Sequence, residues 1–128
     1  WGKRELGAHK IMCMGEEDRI EEMFQFLNEN YGDKLHVYRS KETYIEVANK
    51  QISKLTAIEY LLKNHFNLSI EETVAFGDNY NDVEMINGVG MGVAVANARE
   101  ETKKVANKIT DASIDDGVAK TLEELFLK

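Results

Sequence analysis

Thr73-Val74-Ala75-Phe76-Gly77-Asp78-Asn79-Tyr80-Asn81-Asp82 is the stretch on which the fold turns. Residues 73–76 are almost wholly apolar, and a strand apolar on both faces belongs in a parallel sheet covered by helices. Working outward, the texture is a regular alternation. Ser53 is placed as an N-cap, and Leu55, Ile58, Leu61 and Leu62 form a helical stripe that ends near residues 64–67. A second helix starts over residues 81–86, a strand follows over 92–96, a helix over 99–106 and a short strand over 108–110. Asp116-Gly117 leads into a last amphipathic helix whose inward residues are expected to be Val118, Leu122, Leu125 and Phe126. Alternating elements at this spacing predict an α/β fold built from βαβ units with right-handed crossovers.

In such sheets ligands sit beyond the carboxyl ends of the strands, which singles out the loop after Phe76. Gly77 allows a close backbone approach to a ligand or an unusual φ. Asp78 leaves the strand end, and Asp82 follows one helical turn later, so both carboxylates can address one point. Two hard oxygen anions there suit Mg²⁺, which is held by a few carboxylates, waters and a substrate phosphate. The alternative is local: a capping Asp with further acids favoured by the helix dipole. Lys54 opens the helix after Ser53, where the macrodipole prefers anions. Its placement makes sense if the ammonium and the helix end both address a phosphate or a carboxylate cluster. Two look-alikes fail. A calcium-binding EF-hand loop starting at Asp78 needs glycine at its sixth position, and Gly88-Val-Gly90-Met-Gly92 precedes a strand instead of following one.

The first third reads differently: a strand over residues 10–14, a helix over 16–31 with Ile20, Met23, Phe24 and Leu27 on one face, then two strands joined by a hairpin at 40–43. Met12 and Met14 are expected to fill core gaps. No motif there carries nameable chemistry, and His9, His36 and His65 lack metal-ligand spacing. The whole sequence of 128 residues carries 16 basic and 23 acidic side chains, a net charge of −7. That balance argues against nucleic-acid and anionic-membrane partners. The single cysteine, Cys13, excludes an internal disulfide framework. The apolar run at 89–96 is far shorter than the roughly 20 residues needed to span a bilayer. The expected location is cytoplasmic. There is no proline at all, a feature for which the sequence offers no explanation.

Taken together, Ser53-Lys54, residues 73–82, Met85-Ile86, residues 90–98 and Asp115-Asp116-Gly117-Val118-Ala119 resemble the haloacid dehalogenase superfamily, specifically its Cof-type sugar-phosphate phosphatases, closely over residues 45–128. The resemblance implies the C-terminal half of a Rossmann-like core over residues 52–128, preceded by the end of an α/β cap domain over residues 1–51. It implies that Lys54 pairs with phosphate and nucleophile, that Asp78 is a Mg²⁺ ligand, that Asp82 is a direct or water-mediated metal partner, and that Asn81 contacts phosphate or bound water. Leu55 stands where the family usually has glycine after the lysine. The family nucleophile is the first Asp of an Asp-x-Asp pair, and this sequence contains no such pair. The expectation is therefore part of a Mg²⁺-dependent phosphatase for a small phosphorylated metabolite, inactive alone, that pairs with itself or with the missing N-terminal half. The rival expectation is a non-catalytic acidic metal-binding or interaction module.

Overall fold

The computed structural model describes residues 8–127. The chain divides into two compact units, Trp1–Ile52 and Ser53–Lys128.

The first unit is a three-stranded antiparallel sheet with one helix. Strand β1 (Lys10–Met14) is followed by α1 (Glu17–Tyr31), β2 (Leu35–Lys41) and β3 (Tyr44–Asn49), in the spatial order β1-β3-β2. The hairpin expected at 40–43 joins β2 to β3, with an irregularity between Arg39 and Lys41. Ile20 of α1 and Ile45 of β3 are fully enclosed, and an Arg39–Glu21 ion pair ties β2 to α1. His36 is a strand residue, buried in β2 and hydrogen-bonded to Tyr38. Two expectations fail. Met12 and Met14 are exposed, as is Met23 of α1, while Phe24 and Leu27 are half-buried. The reason for β1 is its edge position: only β3 pairs with it, and of its five residues only Cys13 is partly covered.

The second unit is the expected parallel sheet flanked by helices. After α2 (Lys54–Leu61) come β4 (Val74–Gly77), α3 (Val83–Gly88), β5 (Met91–Val95), α4 (Glu100–Val105), β6 (Lys108–Thr110) and α5 (Gly117–Phe126). The strands lie in the order β4-β5-β6, all parallel. The central strand β5 is buried along Gly92, Val93, Ala94 and Val95, which is why it reads as an unbroken apolar run. Ala75, Met85, Ile86 and Val89 form the core over one face, with Leu55, Ile58 and Ile70 packed against it. Leu61, the expected third member of the α2 stripe, is half exposed, because the helix loosens at its end into a π turn at Leu62–Phe66, closed by Asn67 at φ 52°.

The last helix departs most from expectation. It is anchored by Gly117 and by Thr121, whose hydroxyl donates to Thr110 Oγ1 at 2.7 Å while Thr110 Oγ1 donates to the Gly117 carbonyl at 2.9 Å. Val118, Leu122 and Phe126 are exposed instead of inward, and Leu125 is half-buried. The apolar stripe exists but is only partly covered: Val118 is 37%, Leu122 39% and Phe126 63% exposed. No helix among the described residues is long and apolar enough to cross a membrane.

Candidate functional site

The carboxyl end of β4 is where the chemistry-bearing residues meet. Gly77 is the last residue of the strand. A Cβ there would lie 2.6 Å from Asp82 Cβ and 3.0 Å from Ile86 Cγ1. The glycine is therefore required by the chain's own packing. Its φ is not in the left-handed region, so a strained turn does not explain it. Because Gly77 has no side chain, Asp82 folds back over the strand end and is buried, 3% exposed.

Asp82 then uses both oxygens. Oδ2 accepts the backbone N–H of Asp78 at 2.9 Å and of Asn79 at 3.1 Å. Oδ1 accepts Lys54 Nζ at 2.5 Å. Burial on its own pushes the Asp82 carboxyl up. The Lys54 hydrogen bond, the two loop amides and the Lys54 charge more than offset that and hold it below the usual aspartate range. The local capping alternative is also realised, one residue further on. The cap is Asn79, whose side chain accepts the Tyr80 N–H at 2.9 Å, and Asp82 reciprocates. The turn at Tyr80–Asp82 is a tight 3₁₀ turn that precedes α3, so the helix expected from residue 81 starts two residues later, at Val83.

Lys54 reaches this point because Ser53 caps α2. The Ser53 side chain accepts the Thr56 N–H at 3.2 Å and the Ser53 N–H donates to Thr56 Oγ1 at 2.9 Å. That fixes where the first helical residue lies and aims its ammonium across to Asp82. The Lys54 side chain is 49% exposed, so its charge faces both the buried carboxylate and solvent. Asp78 is exposed, and Asn81 is half-buried beside it in the turn. Thus the structure brings Lys54 and Asp82 into direct contact, sets Asp78 on the open side of the same loop, and gives the two acids different environments.

The chain's donors toward a cation are then limited. Among the described residues no group of three His, Cys, Asp or Glu side chains could hold a metal. Mg²⁺ asks for less: one or two carboxylates, with waters and substrate phosphate completing the octahedron. The exposed Asp78 carboxylate meets the lower end of that requirement.

Sequence reasoning missed the far side of the loop. The Asp78 carbonyl accepts the Arg99 N–H at 2.8 Å, and the Asn79 carbonyl accepts the Thr102 hydroxyl at 2.9 Å. Arg99 also lies over the Tyr80 ring, 5.4 Å from its centroid. The one signal available was a threonine on the face of α4 that should be apolar.

Comparison with known proteins bears on the family and the fold. The sequence pattern of the haloacid dehalogenase-like hydrolases matches residues 2–122. A candidate phosphatase of Haemophilus influenzae is 40% identical over 118 residues, covering 92% of this chain and 44% of its own length. The 5-amino-6-(5-phospho-D-ribitylamino)uracil phosphatase YcsE of Bacillus subtilis is 35% identical over 112 residues, covering 88% of this chain and 44% of its own. The crystal structure of a haloacid dehalogenase-like hydrolase from Bacteroides thetaiotaomicron superimposes with a TM-score of 0.77 at 36% identity, over 94% of this chain and 45% of that one. The chain spans under half the length of these relatives.

Proposed function

The chain belongs to the haloacid dehalogenase-like hydrolase family, and from that premise we propose that its Ser53–Lys128 unit carries the lysine and metal-binding side of a Mg²⁺-dependent phosphomonoesterase site. The observation that supports this reading most is the Lys54–Asp82 pair, locked to two loop amides at the carboxyl end of a parallel strand.

The roles follow from the surroundings. Asp82, kept ionised by its partners, holds the loop closed and the Lys54 ammonium in place. Lys54, half open to solvent, presents a fixed positive donor to a phosphoryl oxygen. Asp78, open on the same loop, is the ligand for Mg²⁺, with Asp82 the second and Asn81 placed for phosphate or a bound water. When bound, Mg²⁺ would offset the negative charge of phosphate and attacking group. The attacking carboxylate, which forms the aspartyl-phosphate in this reading, is not among these 128 residues, since they hold no Asp-x-Asp pair. Trp1–Ile52 is assigned as cap and Ser53–Lys128 as core. The substrate class is a small organic phosphomonoester, in keeping with the ribityl phosphate named for one relative.

The test is hydrolysis of a phosphomonoester panel with Mg²⁺ by two proteins: this chain, and this chain extended by whatever precedes Trp1 in its gene. The reading expects turnover from the extended protein and none above a buffer blank from the chain. Turnover by the chain alone would show that an attacking group has been overlooked. Inactivity of an extended protein that does carry an Asp-x-Asp strand would favour a non-catalytic metal-binding module.

A further inference from the structure

Thr102 is the one buried residue of α4, and it is fully enclosed. A valine would fill the same volume, so the threonine's particular contribution is its hydroxyl. In a helix a threonine hydroxyl ordinarily bonds back to a carbonyl of the preceding turn. This one instead donates at 2.9 Å to the Asn79 carbonyl, 23 residues away in sequence. The bond completes a pattern. Asp82 Oδ2 takes the N–H groups of Asp78 and Asn79, while the Arg99 N–H and the Thr102 hydroxyl take the carbonyls of the same two residues. The backbone that carries Asp78 is held on both sides, and Thr102 is the side chain that holds the carbonyl side.

We propose that Thr102 is a positioning residue for the metal site, fixing the loop through the Asn79 carbonyl so that Asp78 presents its carboxylate to the cation. This rests on the reading of Asp78 as a Mg²⁺ ligand. Partners one shell behind a metal ligand typically set affinity by 10- to 100-fold.

The experiment is titration of the chain with Mg²⁺ alone, followed by calorimetry, with thermal melts of every variant. Thr102→Val is expected to weaken binding about tenfold, and Thr102→Ser to restore it. Thr121→Val is the matched control. Its hydroxyl is equally buried and bonded at 2.7 Å, but to Thr110, which has no bond to the loop. It is expected to lower the melting temperature and leave Mg²⁺ affinity unchanged. Should the valine variant unfold, Thr102→Ser against Thr102→Ala decides the same point. If the wild type binds, Asp78→Asn does not, and Thr102→Val or Thr102→Ala binds as well as the wild type, the positioning role is overturned while the site reading stands. If Asp78→Asn binds as well as the wild type, the site reading itself falls, and the positioning role with it.

Discussion

Replacing Lys54 with methionine keeps the length of the stem and deletes the ammonium. Asp82 would then remain 3% exposed, with Oδ2 still bonded to two amides and Oδ1 left without its partner. A hydrogen bond to a charged group is worth about 1.5–3 kcal/mol. Fully buried pairs cost more to break, but Lys54 is 49% exposed and water screens it, so the lower part of that range applies. The expected loss is about 1–2 kcal/mol at pH 7. It must also depend on pH. The folded-state pKa of Asp82 is depressed, so its contribution to stability is present above the unfolded value of about 3.9 and fades as pH falls through the folded value. Removing Lys54 takes away the largest of the causes that lower it. The wild type therefore loses its advantage over Lys54→Met as acid is added. Urea denaturation of both proteins at pH 7 and below pH 4 measures this. Equal stability at pH 7, or a difference that stays constant into acid, would refute the reasoning.

Three further outcomes are expected. Gly77→Ala forces a methyl to 2.6 Å from Asp82 Cβ and should cost about 1–3 kcal/mol in a denaturant melt, as overpacked sites do. Ser53→Ala removes the α2 cap and should cost about 1 kcal/mol; if the cap also aims Lys54, the pH dependence of stability will weaken as well. Asp78→Asn, at an exposed position, should leave the melting temperature within about a degree or two of wild type, because exposed changes stay within ~0.5 kcal/mol, while abolishing Mg²⁺ binding by calorimetry.

How much of this was legible beforehand depended on what kind of force decides each feature. Strand β5 was readable because burial on both faces leaves only apolar residues, as in Val93-Ala94-Val95. The Gly77–Asp82 loop was readable because its residue types are costly anywhere else. Lys54 was found as an oddity at a helix start, and the structure explains the oddity with a carboxylate 2.5 Å away. The faces of helices were read less well. The spacing of Val118, Leu122 and Phe126 identifies an apolar face, but spacing cannot say how far that face is covered. Edge position likewise left Met12 and Met14 exposed in a strand whose composition looks interior. Thr102 and Arg99 escaped because they act through backbone groups, and a carbonyl acceptor leaves no trace in the sequence.

The central claim is that Lys54 and Asp78 belong to a phosphoryl-transfer site. The most direct measurement is Mg²⁺-dependent hydrolysis of an aryl phosphate by the gene-extended protein, comparing wild type with Lys54→Met and Asp78→Asn. The account predicts a loss of at least about 100-fold in kcat for each, the scale on which a preorganised charge-stabilising group acts. Variants that turn over at the wild-type rate would contradict it.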